Sequence, residues 1–492
     1  HRDLHLSIRR QRQMCIRDRN KIMAMKKNYI LFFFLLISYF SYSANWLVGP
    51  TRTYTLPSQV SGLVNNGDTV SIDAGIYNSD VAHWTANNLL LRGVGGLAHL
   101  KANGLSWGGK AIWVIGGSNT KVEWIEFSLC ACPSENGAGI RQEGLNLTVS
   151  HCYFHDNENG ILAGTLNPSK IIIEYTEFST NGFGDGYTHN LYINNIDTLV
   201  FRYNYTHHCN IGHEIKSRAH VNYIMYNRIS NEATGNASRE IDLPNGGTSY
   251  VIGNVIEQGP NSTNSGIVGY GLEGLVNPNP QEFYFVNNTV VNDRTTGTFV
   301  ALPSSGLSLY KSYNNIFAGP GTTLSGAATV IDSSNNIRTS SIATMGFINA
   351  STYNYHLLPS SIAINSGTNP GIANSGFPLS ADKEYFHPID WVTRTTTGAI
   401  DIGAFEYVPP VSVNELSDLK NEFQYWIHDG TITCATSLSS VVVYIYDMTG
   451  RMVLSQKIGQ GISVIDFKNF PTGVYIIKEV TGSEVVSGKF VR

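Results

Sequence analysis

Val200-Phe-Arg-Tyr-Asn-Tyr205, Tyr223-Ile-Met-Tyr-Asn-Arg-Ile229, Tyr250-Val-Ile-Gly-Asn-Val255, Tyr284-Phe-Val-Asn-Asn-Thr289 and Tyr310-Lys-Ser-Tyr-Asn-Asn-Ile316 are five versions of one short pattern. Each alternates apolar and polar residues and then sets an Asn at the same point. More diverged versions precede them at Val122-Glu-Trp-Ile-Glu-Phe127, Val149-Ser-His-Cys-Tyr-Phe154 and Ile173-Glu-Tyr-Thr-Glu-Phe178. One equivalent position in each, from Ile125 through Cys152, Thr176, Asn204, Asn227, Asn254 and Asn288 to Asn315, gives steps of 27, 24, 28, 23, 27, 34 and 27 residues. Alternation with period two is a strand signal, not a helical one. A repeat in the twenties made of short strands predicts an all-β solenoid in which every coil stacks on the next. The recurring Asn residues are then expected to form a ladder, amide on amide, along the stack.

Composition agrees with an exported, strand-rich chain. Of 492 residues only 14% are charged, against roughly 25% in ordinary soluble proteins. The 42% hydrophobic content with 48 Gly suits a large core and excludes a disordered tail. Met14-Cys-Ile-Arg-Asp-Arg19 resembles the translation of a sequencing adaptor, so residues 1–22 read as an artefact. Residues 23–43 read as a signal peptide opening at Met23 or Met25: Lys26-Lys27, the apolar run Ile30 to Ile37, then Ser41 and Ser43 ahead of Ala44. That run is too short to span a membrane. The 33 Lys/Arg and 37 Asp/Glu of the full chain lose nine and two with residues 1–43, leaving 24 against 35, or −11. A net-acidic chain without a basic run argues against nucleic acid as a partner, and a monomer is expected. Cys130, Cys132, Cys152, Cys209 and Cys434 show no zinc spacing, and Cys152 is open to a disulfide with Cys130 or Cys132.

The repeats over residues 44–408 resemble a right-handed parallel β-helix. Gly67-Asp-Thr-Val-Ser-Ile-Asp-Ala-Gly-Ile-Tyr77 resembles its first coil, and Gly398-Ala-Ile-Asp-Ile-Gly-Ala-Phe-Glu-Tyr407 the ending common in secreted bacterial members. Pro409-Pro410 opens a linker, 409–413. Residues 414–492, with Val441-Val-Val-Tyr-Ile-Tyr-Asp-Met-Thr-Gly-Arg451, Phe470-Pro-Thr-Gly-Val-Tyr-Ile-Ile477 and the ending Gly488-Lys-Phe-Val-Arg492, resemble the type IX secretion sorting domain of Bacteroidota. That resemblance implies a small β-sandwich read by the type IX machinery, and a chain that is secreted or displayed on the cell surface.

Chemistry concentrates on three coils. His189-Asn-Leu-Tyr-Ile193, His213-Glu-Ile-Lys-Ser217 and Arg239-Glu-Ile-Asp-Leu243 align with Leu191, Ile215 and Ile241 in one column. With that column facing inward, alternation predicts two outward columns: Asn190, Glu214, Glu240 and Tyr192, Lys216, Asp242. Arg141 is expected near the second column, with Arg218, Arg239, His189 and His213 flanking it. Stacked polar residues on a solenoid are often only a solvated face. So many ionisable groups on three coils of a charge-poor chain favour a site.

Glu214-Ile-Lys-Ser217, Asn222-Tyr-Ile-Met-Tyr-Asn227, Asn245-Gly-Gly247 and Val251-Ile-Gly-Asn254 are similar to the central coils of the chondroitinase-B and alginate-lyase group. The resemblance implies β-elimination on an acidic polysaccharide. Lys216 would be the base, Tyr192 the acid or its exchange partner, Arg218, Arg239 and His213 the supporting groups, and Asn190, Glu214 and Glu240 a Ca2+ cage. Arg141, His189, Tyr187 and Asp242 would bind substrate. Where that group has Arg-His-Gly on the next coil, this chain has Asp242-Leu-Pro-Asn-Gly246. Two alternatives stand beside this reading: hydrolysis by Glu214, Glu240 and Asp242, and a non-enzymatic glycan-binding solenoid presenting Tyr187, Tyr192, Tyr270 and Trp84. The loop Gly184-Asp-Gly-Tyr187 reads as a plain turn.

Overall fold

The computed structural model divides after Tyr407 into two compact units. It describes residues 43–407, 424–428, 431–447, 450–468, 470–471, 473–481 and 484–491. The expected artefact, linker and signal peptide (its last residue apart) lie outside the described residues.

The first unit is a β-solenoid of about ten turns. One face is a ten-stranded sheet, one strand per coil from Ala82–Trp84 to Thr322–Ser325; the other two faces join as a 21-stranded sheet. Successive coils pair in parallel, residue against equivalent residue. Val149, Ile173, Phe201, Ile224, Val251 and Phe285 form one such column, and all six are fully buried. Phe127, Phe154 and Phe178 stack ring on ring at 4.8 and 5.0 Å. Burying each of these side chains contributes about 1.5–3 kcal/mol.

The expected asparagine ladder is present and accounts for the corner of every coil it crosses. The backbone N–H and the side-chain amide of Asn204 both donate to Oδ1 of Asn227, at 2.9 and 3.2 Å. The same double bond repeats from Asn227 to Asn254, Asn288, Asn315 and Asn336. Immediately before each ladder position the backbone turns left-handed, at Tyr175, Tyr203, Tyr226, Gly253, Asn287 and Asn314. Bulky residues there cost about 1–2 kcal/mol. Ring stacking offsets this, through Trp124 on His151 (4.6 Å), His151 on Tyr175 (4.8 Å) and Tyr175 beside Tyr203 (5.2 Å).

Residues 373–407 fold back over one face of the larger sheet. Ala373, Phe377 and Leu379 pack on a stack of Tyr223, Tyr250 and Tyr284, and Tyr226 donates to Asp382 at 2.7 Å. Buried Arg394 pairs with Glu406 at 2.6 Å and donates to the carbonyls of Asp401 and Gly403. This closes the tyrosine face. The disulfide left open by the sequence is absent: all five described cysteines are free and buried. Cys152 turns its thiol to the carbonyls of Ser150 and Val122 instead.

The second unit is a small antiparallel half-barrel. Its long strand Thr431–Asp447 pairs with Gln424–His428, Met452–Asp466 and Val474–Thr481, and Val474–Thr481 pairs in turn with Glu484–Val491. Ile432, Cys434, Val443, Ile445, Ile477 and Phe490 form its core. Among the described residues no helix is long and apolar enough to cross a membrane.

Candidate active site

Arg141, Leu162, Tyr192, Lys216, Asp242 and Gly269 occupy one register position on successive strands of the ten-stranded sheet. The neighbouring column, Leu191, Ile215 and Ile241, is fully buried. Alternation therefore turns Tyr192, Lys216 and Asp242 outward, with neighbouring coils about 4.8 Å apart.

Lys216 sits between two carboxylates: its Nζ lies 2.8 Å from Oε1 of Glu273 and 3.5 Å from Oδ2 of Asp242. Arg218 donates Nε–H to the Tyr192 hydroxyl oxygen at 3.0 Å. It also pairs with Glu273 Oε2 at 2.5 Å and donates to Asn245. Arg239 pairs with Asp242 at 3.3 Å. Burial drives the Asp242 carboxyl above its usual range, and Arg239 and Lys216 only partly oppose it. Glu273 moves the other way: desolvation is outweighed by its bonds to Lys216 and Arg218, which hold it below the ordinary value.

The two histidines are neutral supports. Burial, reinforced by Lys216 and Arg218, pushes His189 down to about 3. His213 falls well below its ordinary value through burial and then the nearby His189, Lys216 and Arg239. Nδ1 of His189 accepts from the backbone N–H of His213, and Nδ1 of His213 from that of Arg239. Both rings thus carry their proton on Nε2, and His213 turns it toward Asp242, 3.6 Å away. A ring so engaged donates; it does not serve as a base.

Asn190, Glu214 and Glu240 differ from the expectation. They do not face outward: all three are fully buried. They precede their strands, at a corner where strand alternation does not apply, and continue a second amide ladder inside the coil. Asn157 donates to Asn181, Asn181 to Asn190, and Asn190 to Oε2 of Glu214 at 2.6 Å. Glu214 also accepts from the Thr206 hydroxyl and the Cys209 N–H, and Glu240 accepts from Asn231. The Asn190 and Glu214 oxygens are committed in this way, Oε2 of Glu240 has no partner, and none of the three residues reaches solvent, so they do not present an open Ca2+ cage. Nor does a glycan reach Glu214 or Glu240, which removes both from the hydrolytic alternative.

The remaining expected residues scatter. Arg141 lies two coils from Tyr192 and faces Glu143 at 3.8 Å, apart from the Lys216 network. Tyr187 is 84% exposed on a turn that Asp185 closes by accepting from the Tyr187 N–H. Trp84 and Tyr270 are fully buried and line no groove. Glu273 was missed by the sequence reading, and Asn245 was noted there without a role. Glu273 lies on the loop between Gly266–Tyr270 and Glu282–Val286. That loop makes its repeat the longest, the 34-residue step, and this was the available signal.

The cluster is a cationic clasp for a carboxylate, with a phenol beside it and a buried acid beneath. The solenoid that carries it matches the sequence model of the right-handed beta helix region over residues 74–256. Residues 428–492 match the secretion system C-terminal sorting domain; the chain is therefore a secreted or cell-surface protein that engages a secretion machinery. Among solved structures it is similar to the pectate lyase Pel9A, at 12% identity and a TM-score of 0.49, covering 76% of this chain and 98% of that one. No curated protein matches it.

Proposed function

We propose that the chain is a polysaccharide lyase that cleaves an acidic, uronate-containing polysaccharide by β-elimination, at Tyr192, Lys216, Arg218 and Arg239. The observation that supports this reading is the Glu273 carboxylate held between Lys216 and Arg218 beside the Tyr192 hydroxyl. A uronate carboxylate entering this clasp takes the place of Glu273. Two cations against that carboxylate stabilise the negative charge that develops when the C5 proton leaves. Tyr192 would take that proton as its phenolate, having first given its own proton to solvent, with the Arg218 guanidinium beside it to stabilise the phenolate charge that the step then discharges. The electrons close the C4–C5 double bond, and the glycosidic oxygen departs from C4 with a proton from Lys216. Of the two assignments left open for Lys216 and Tyr192 this is the exchanged one, favoured because Lys216 is paired to carboxylates and Arg218 donates to the phenol.

The purified chain is to be incubated with alginate, pectate, chondroitin sulfate and glucuronan, following the ultraviolet absorbance of unsaturated uronate. One substrate is expected to give product, with Tyr192→Phe slowing turnover about 10²–10⁴-fold. Glu273→Ala is expected to tighten binding of the same polyanion. New reducing ends without unsaturation would instead favour hydrolysis by Asp242 and Glu273, the two carboxylates that flank Lys216. Binding without either product would leave a glycan-binding solenoid.

A further inference from the structure

On the larger sheet, away from the Lys216 column, three consecutive coils bring His99, Glu126 and His155 together. His99 pairs in register with Glu126, Glu126 with Tyr153, and His155 with Ser128. Oε1 of Glu126 receives both rings: Nδ1 of His99 at 3.3 Å and Nε2 of His155 at 3.0 Å. All three donor atoms lie within 4.8 Å of one another, and the side chains are 17–21% exposed, so an ion reaches them from solvent.

The second nitrogen of each ring is also engaged. Nε2 of His99 lies 2.7 Å from the Ser128 hydroxyl, and Nδ1 of His155 lies 2.7 Å from Oδ2 of Asp156. His155 thus has a carboxylate at each nitrogen. An outer carboxylate or hydroxyl on the far nitrogen is how metal-binding imidazoles are oriented. Zinc–ligand bonds of about 2.0–2.2 Å put tetrahedral ligands roughly 3.3–3.5 Å apart, within a few tenths of an ångström of the Glu126 spacings here.

We propose that His99, Glu126 and His155 form a binding site for a divalent transition metal, zinc in the first place, with Ser128 and Asp156 orienting the two rings. Two imidazoles and one carboxylate make a borderline donor set that prefers zinc to calcium or magnesium. Three protein ligands leave the fourth position to water or a small ligand. Because the ligands come from three coils, the ion ties those coils together. The site is independent of the proposed lyase cluster, which lies on the other sheet.

The full chain, produced without a polyhistidine tag and stripped with a chelator, is to be titrated calorimetrically with zinc sulfate. One zinc per chain is expected, with His99→Ala and His155→Ala each weakening binding by at least tenfold. Ser128→Ala and Asp156→Asn keep all three ligands and are expected to weaken it about tenfold or more. They carry the test where a ligand variant fails to fold. His207→Ala, which removes the next His–Glu contact along the stack, is expected to leave the zinc stoichiometry unchanged. No zinc uptake by the unaltered chain, or affinity unchanged in folded His99→Ala and Asp156→Asn chains, would overturn the assignment.

Discussion

His189 shows how one position can carry both structure and a pH limit. Its ring stacks on His213 at 5.0 Å, and its Nδ1 accepts a backbone N–H that has no other described partner. Only the neutral ring does this. With a folded value of about 3 against an ordinary value near 6.5, the unfolded chain takes up a proton well before the folded one. The stability contributed by the neutral ring is therefore complete above about pH 6.5. It drains away as pH falls toward 3, by about 1.4 kcal/mol for each unit of separation between the two values. Melting temperature should accordingly drop on acidification through this window, and more shallowly in His189→Asn, whose side-chain oxygen still accepts the N–H. Parallel acid limbs in the two proteins would show that His189 stays protonatable in the fold. The composition of this cluster was legible from sequence, and so was the register of Tyr192, Lys216 and Asp242. The protonation of its histidines was not, because it depends on burial and on cations brought in from neighbouring coils.

The coil corner shows where sequence reading succeeds and where it stops. Asn204, Asn227, Asn254, Asn288 and Asn315 were recognisable because one residue type recurs at one place in each repeat. The second ladder changes residue type as it climbs, from Asn157, Asn181 and Asn190 to Glu214, so no repeated letter announces it. Extending strand alternation through that corner placed Asn190, Glu214 and Glu240 on the wrong side of the wall. Glu273 was hidden for a different reason: a loop inserted in one repeat has no equivalent in the others with which to align. Both ladders make the same energetic prediction. Asn254 bonds in both directions along the stack, and its amide also donates to Ile224 O at 2.9 Å. Asn254→Ala therefore strands buried partners above and below, and should cost about 2–4 kcal/mol. The urea midpoint should fall with little change in slope. A midpoint shift no larger than that of a surface Asn65→Ala control would mean that the ladder records the register without stabilising it.

The division after Tyr407 separates two tasks along the chain. The solenoid ends in its own closure: Arg394 is buried against Glu406, and the backbone N–H of Glu406 donates to Glu384 at 2.6 Å. The half-barrel has a separate core, in which Phe467 packs against Phe470, Tyr475 and Phe490 at 4.6–5.0 Å. Among the described residues, each core is assembled from side chains of its own unit. A chain cut after Tyr407 should thus keep the melting temperature of the solenoid but lose the part that the secretion machinery reads. In the producing cell it should accumulate inside the envelope, while the full chain reaches the surface or the medium. Fractionation of cells expressing each form separates the possibilities. A truncated chain that still reaches the surface would mean that the sorting match at 428–492 is dispensable for export. A truncated chain that melts lower would mean that the half-barrel also supports the solenoid.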